Sequence, residues 1–307
     1  MHLQSLAALF LLAQSALASN NFYGIGVSSF SSNGQCRSAA QWDSIVSNAK
    51  NNGYKRFRIY GNDCGTTFDH ATASAKKYGL PVLIGIWVDG TIANSASRID
   101  QEVGAFVSTV KKYGAGIVDG LTIGNEVADT PTNIMKKVWD VRGYINKVAG
   151  YKGPISTVHT WVEVMNNPVL CDADRVTVNA HAFFDGKVQA SGAGNFITNV
   201  VIPNIRRVCA PYAAVKDIVI TESGWPSRGG NIGAAVPSLP NEQAALRSLN
   251  CAAKSTKIFA FEADDTTWKN ANDNEKSFGI LNKGLDSTSS ACFGPGYGPP
   301  SFVDQDT

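Results

Sequence analysis

Eight short β-rich runs, each followed by a helical or loop stretch, constrain the fold of this chain more than any other feature. They fall at residues 22–28, 56–61, 81–88, 121–126, 154–160, 175–184, 217–223 and 257–263. Between them, residues 39–52, 98–112, 132–148, 195–209 and 241–253 repeat apolar side chains at three and four positions, the spacing of a helix packed on a sheet. The stretch at 161–166 has room for a turn or two. Eight such units in 307 residues have the number and size of an α/β chain folded as a single-domain (β/α)8 TIM barrel. A doubly wound open sheet is the alternative, but the first run carries only Gly24-Ile25-Gly26 and no Gly-rich phosphate fingerprint.

The first 18 residues, MHLQSLAALFLLAQSALA, place an apolar run before the small-residue triplet Ala16-Leu17-Ala18. This is the pattern of a secretory signal cleaved after Ala18, and its apolar part is shorter than the ~20 residues of a membrane span. A catalytic domain over 19–307 is expected, with an irregular Ser-, Gly- and Pro-rich tail from Leu285. Six cysteines in an exported chain favour three disulfides out of fifteen pairings. Sequence order makes Cys36–Cys64, Cys171–Cys209 and Cys251–Cys292 the simplest set. The expected location is therefore extracellular or in a cell wall, with no membrane anchorage. With 27 basic and 25 acidic residues, net +2, and no long run of one sign, nothing points to nucleic acid.

A barrel presents its reactive groups at the C-terminal ends of its strands. Tyr60, Trp87, Asp89, Asn125, Glu126, His159, His181, Glu222 and Glu262 all fall there. LTIGNE and IVITES run from apolar residues straight into Glu126 and Glu222, and a strand core seldom ends in a carboxylate that is neither paired nor used. Two carboxylates facing each other about 5–5.5 Å apart can cleave a glycosidic bond with retention of configuration. Each Glu alone could equally be an ion pair at a strand end; as a pair on strands four and seven they point to catalysis. The four histidines form no His-x-x-x-His or His-Glu-x-x-His set, and no Cys-x-x-Cys occurs, so no metal site is expected. No Gly-x-Ser-x-Gly elbow is present for a serine hydrolase. His159 could be a satisfied core residue, and His181 reads as a hydrogen-bonding wall.

RIYGNDC at 58–64, IGNE at 123–126, NAHAFF at 179–184, ITESGWP at 220–226 and FEADDTTWK at 261–269 together resemble family 17 glycoside hydrolases, most of all the fungal cell-wall branch acting on β-1,3-glucan. The resemblance implies Glu126 as general acid/base and Glu222 as nucleophile, with Asn125 on the sugar 2-hydroxyl. It further implies Tyr60 beside Glu222, Trp225 as a flat face for a glucose ring, and Glu262 and Lys269 shaping the site. Ala182 stands where proline is common in that pattern, which leaves the placing of His181 open. Trp161, Phe183, Phe184 and Trp225 are candidate platforms on the acceptor side. Three functions follow: a retaining β-1,3-glucanosyltransferase, which the fungal motifs favour; an endo-β-1,3-glucanase that transfers to water; and, more remotely, a non-catalytic wall-glucan binder. Protonation and covalent catalysis suffice, so no cofactor is expected. The expected partners are β-1,3-glucan oligosaccharides and polymer, with the protein a monomer.

Overall fold

A computed structural model describes residues 20–285. The expected signal and all but the first residue of the expected tail lie outside the described residues. Eight parallel strands close into a barrel in the order β1 to β8: β1 Gly24–Gly26, β2 Phe57–Ile59, β3 Val82–Ile86, β4 Val118–Asn125, β5 Ile155–Thr160, β6 Val176–Asn179, β7 Ile218–Ser223 and β8 Lys257–Ala260. The expected (β/α)8 barrel is what the chain forms. The strands are buried along nearly their whole length, as parallel strands covered on both faces must be.

Outside the barrel run α1 Ala39–Asn51, α2 Thr67–Tyr78, α3 Ala96–Tyr113, α4 Pro131–Ala149, α5 Trp161–Asn166, α6 Ala182–Asp185, α7 Ala193–Asn195, α8 Ile202–Val208 and α9 Leu239–Ala252. Helix starts are encoded locally. Ser38 and Gln41 form a capping box on α1, and Thr130 with Pro131 opens α4. The helix expected over 195–209 is broken: a π-helical turn over Phe196–Val201 precedes α8. Pro203 in the first turn of α8 has no N–H to continue an ordinary ladder backwards. The sixth run also ends earlier than its apolar character suggests. The strand stops at Asn179, and Ala182–Asp185 turns into α6.

At the N-terminal mouth, ion pairs link the strand starts. Arg56 and Arg175 hold Asp119 at 2.6 and 2.9 Å, and Arg175 and Lys257 hold Asp217 at 2.8 and 2.6 Å. At the opposite mouth, Cys36–Cys64 joins the loop after β1 to the loop after β2. Cys171–Cys209 staples the stretch leading into β6 to the C-terminal end of α8. Closing loops of 28 and 38 residues stabilises the fold by about 3–4 kcal/mol each in the chain-entropy view. Cys251 is also disulfide-bonded; Cys292, its expected partner, lies outside the described residues.

The strand register is not uniform. It shifts in β4 between Thr122 and Asn125, in β6 between Val178 and Asn179, and in β7 between Ile220 and Ser223. Such irregularities re-aim side chains where a ladder ends. Here they fall where Asn125, Glu126, Asn179 and Glu222 leave the sheet.

Candidate active site

Glu126 follows β4 directly, and its backbone lies in the left-handed region at φ 54°. For a non-glycine residue that conformation costs about 1–3 kcal/mol. It is held by the Glu126 N–H, which donates to the Val158 carbonyl at 2.8 Å. Preceding it, Gly124 at φ 78° has no room for a side chain, because a Cβ there would meet Val127. The strand end is thus twisted so that the carboxylate of Glu126 turns into the mouth.

Arg58 and Asn179 connect this carboxylate to Glu222. The Arg58 guanidinium, 1% exposed, donates to Glu222 Oε1 at 2.7 Å, to the Thr221 carbonyl at 3.1 Å and to Asn125 Oδ1 at 2.8 Å. Asn179 Nδ2 donates to Glu126 Oε1 at 2.8 Å and to Asn125 Oδ1 at 3.1 Å, while its Oδ1 accepts from Thr221 Oγ1 at 2.9 Å. Asn125 therefore has its carbonyl oxygen committed to two donors, which orients its amide N–H group away from them. His181 Nε2 lies 3.5 Å from Glu222 Oε2. Its ring is fixed edge-on by Phe184, Phe261 and Phe278, with centroids 5.1–5.6 Å away.

These surroundings drive the two carboxyls in opposite directions. Desolvation in the cleft, then the charge of Glu222, push Glu126 above the usual carboxylate range, over the opposing pull of Asn179, His181 and Arg58. Burial would also raise Glu222, but the hydrogen bond from His181 and the Arg58 charge outweigh it and hold Glu222 below that range. Glu126 still reaches solvent through the cleft, whereas Glu222 is buried.

Around the pair, Tyr60 lies under the Arg58 guanidinium at 4.4 Å, and burial followed by the Glu222 charge pushes its hydroxyl well above the ordinary tyrosine value. Glu262 is buried behind Glu222. Burial is the main reason its pKa is pushed up to about 7, with the Glu222 charge adding and Lys269 opposing. Lys269 Nζ is 3.5 Å and Thr266 Oγ1 3.1 Å from Glu262 Oε1.

The structure thus brings Tyr60, Asn125, Glu126, His181, Glu222, Glu262 and Lys269 together at one mouth of the barrel. Two expected contacts fail. Trp225 is 1% exposed, donates its indole N–H to the Val236 carbonyl at 3.0 Å and packs edge-on against Phe183, which is itself fully buried. Neither ring presents a face to a sugar; both support the wall from behind. A cleft of about 680 Å³ opens beside the carboxylates, walled by Trp161, Val162, Phe184, Lys187 and Glu275. Of the candidate platforms, Trp161 and Phe184 reach it. His159 is fully buried, with Nδ1 3.0 Å from Glu163, in line with a core role.

Arg58 and Asn179 were not singled out as site residues from sequence. Both left a signal: a charged residue inside a strand only three residues long, and an amide closing the apolar run VTV, each need a buried partner.

A closed (β/α)8 barrel with a polar cleft and carboxylates at the ends of β4 and β7 is an arrangement on which glycosidic bonds can be cleaved. Residues 24–279 match the BtgE/BtgC glycoside hydrolase domain, and the chain belongs to that family. It is 36% identical over 247 residues to the cell surface mannoprotein MP65 of Candida albicans, covering 80% of this chain and 62% of the relative. It is 32% identical over 261 residues to the probable family 17 glucosidase SCW10 of Saccharomyces cerevisiae, covering 84% and 64%. The chain spans a little under two thirds of the length of these curated relatives. Among solved structures, the family 17 β-1,3-glucanosyltransferase of Rhizomucor miehei superposes with a TM-score of 0.70 at 22% identity, covering 85% of this chain and 93% of the other. That likeness is one of fold.

Proposed function

We propose that this protein is a retaining β-1,3-glucanosyltransferase, exported to the cell surface or wall, with Glu222 as nucleophile and Glu126 as acid/base. The observation that carries this is a pair of carboxyls joined through Arg58 and Asn179, whose surroundings push Glu126 up and hold Glu222 down. In the first step Glu126 donates its proton to the glycosidic oxygen as the bond to the departing glucan breaks. The ionised Glu222 attacks the anomeric carbon and becomes a glycosyl ester. Its charge is then gone, which removes the second largest cause of Glu126's raised pKa and lets Glu126 act as base. Glu126 takes the proton of an incoming hydroxyl, that oxygen attacks the anomeric carbon, and Glu222 leaves as carboxylate.

Asn125, its carbonyl held by Arg58 and Asn179, is oriented to offer its N–H to the 2-hydroxyl of the reacting sugar. Glucan and water compete as acceptors. Water stands at ~55 M, so a sugar wins only if the acceptor side binds and orients it. Support for transfer is the wall of Trp161, Val162 and Phe184, the last two more than 40% exposed, beside the pair. The fungal relatives, a cell surface mannoprotein among them, support the cell-surface assignment. The test is a mass-resolved product time course on a defined linear β-1,3-gluco-oligosaccharide. Early products longer than the substrate, outpacing new reducing ends, are expected; only shorter products with matching reducing-end release would make the protein an endo-β-1,3-glucanase.

A further inference from the structure

One aromatic pair at the same mouth, Trp268 exposed and Phe30 half-buried, has no part in the site described so far. Trp268 is 40% exposed, and its ring packs on Phe30 with centroids 4.9 Å apart and planes tilted by 58°. Trp268 lies in the loop after β8, next to Lys269, whose Nζ reaches Glu262. Phe30 lies in the loop after β1. The barrel closes β1 against β8, and in a ring of eight strands β1 stands opposite β5. The pair therefore sits across the mouth from Trp161 and Val162, which follow β5.

The two loops are tied into one ledge. Thr267 Oγ1 donates to the Ser32 carbonyl at 2.6 Å, and the Ala263 N–H donates to the Gly26 carbonyl at 2.9 Å. A buried ion pair joins Arg37 to Asp264. Phe30 is bridged to Cys36 in the backbone, and Cys36 is stapled to Cys64. Gly34, at φ 79°, allows the close approach: a Cβ there would lie 2.9 Å from Trp268 Cβ. An indole held in water on a fixed loop keeps its apolar face available at little further entropic cost.

We infer that Phe30 and Trp268 form a distal glucosyl subsite, stacking the C–H face of a sugar ring in the part of the chain that leaves the cleft away from Trp161. The inference rests on the β-glucan reading of the carboxylate pair. Trp268 adjoins Lys269, which reaches Glu262 at the edge of the carboxylate pair, and its apolar, flat surface fits a β-linked glucose ring, whose hydroxyls are equatorial and whose C–H bonds face outward above and below.

The experiment compares kcat/KM of wild type, Trp268→Ala and Trp268→Phe over a ladder of linear β-1,3-gluco-oligosaccharides of increasing length, with melting temperatures as a check on folding. In the wild type kcat/KM should step up at the length whose added ring reaches the ledge. In Trp268→Ala that step should shrink by about tenfold, the worth of burying a few tens of Å² of ring, and Trp268→Phe should restore part of it. An unchanged length dependence in Trp268→Ala, or an equal loss at every length, overturns the subsite. Calorimetric titration of Glu222→Ala, with and without Trp268→Ala, separates the two readings. Length-dependent binding through Trp268 in a protein whose wild type turns over no chain keeps the ledge and removes the catalytic reading. Absence of binding to any length overturns both.

Discussion

Replacing Arg58 by methionine keeps most of the side chain's length and removes its charge and five donors. At 2.7 Å from Glu222 Oε1, with an effective dielectric of ~20, the gross attraction is about 6 kcal/mol. Removing one partner of a buried pair costs about 3–5 kcal/mol net, because the other charge is left uncompensated. Arg58→Met should therefore lower stability by that amount in chemical denaturation. The acid limb of the pH–activity profile on β-1,3-gluco-oligosaccharide should also move up. Each 1.4 kcal/mol of the attraction lost by the ionised Glu222 raises it by about one pH unit, so loss of only a quarter of the gross attraction is visible. Arg58→Lys, which keeps the charge but not the fork to Asn125, should hold the acid limb near its wild-type place with a lower kcat. It also serves if the methionine variant folds poorly. An acid limb in Arg58→Met that coincides with wild type would refute the view that Arg58 keeps Glu222 ionised.

Three further outcomes are expected. Glu126→Gln should cripple turnover of natural glucan by at least about a hundredfold while sparing a substrate with a very good leaving group in the first step; equal loss on both would argue against its acid role. Glu222→Ala should abolish turnover yet bind oligosaccharide in calorimetry, and wild-type-like activity in that variant would sink the assignment. Stability should fall as pH rises from about 5 to 8. Glu242, buried against Lys283 Nζ at 3.1 Å, has its pKa pushed up to about 8, chiefly by burial. In that window the native state holds a proton that the unfolded chain releases, so unfolding is favoured as pH rises. Glu242→Gln should flatten the melting temperature across the window; an unchanged slope would locate the effect elsewhere.

The barrel was legible because buried parallel strands read as apolar runs and the helices between them as three-and-four spacing. Where that signal fails, the reason is physical. Helix α2 buries Thr67, Ala71, Thr72, Ser74 and Ala75 with only Phe68 as a large apolar anchor, so its periodicity is faint. Strand β4 begins at Val118, earlier than its apolar stretch, because Asp119 is buried among arginines at the barrel floor. Of the candidate site, Glu126 and Glu222 were legible, since each is a carboxylate at the end of an apolar strand. Arg58 and Asn179 were harder to see: Asn179 sits at a register shift where β6 ends, and Arg58 reaches from β2 to the ends of β4 and β7, a placing that only the closed barrel brings about. Trp225 and Phe183 misled for a related reason. An aromatic residue beside a catalytic motif can face the sugar or brace the wall, and only packing decides.

The most direct test of the account is to trap the glycosyl-enzyme. A 2-fluoro-substituted β-1,3-glucosyl donor with a very good leaving group lets the first step proceed while slowing breakdown, because the fluorine destabilises the oxocarbenium-like transition state. Mass spectrometry of the digested protein should place one glycosyl increment on Glu222. A label on Glu126, or no label while natural glucan is turned over with inverted configuration, would contradict the assignment.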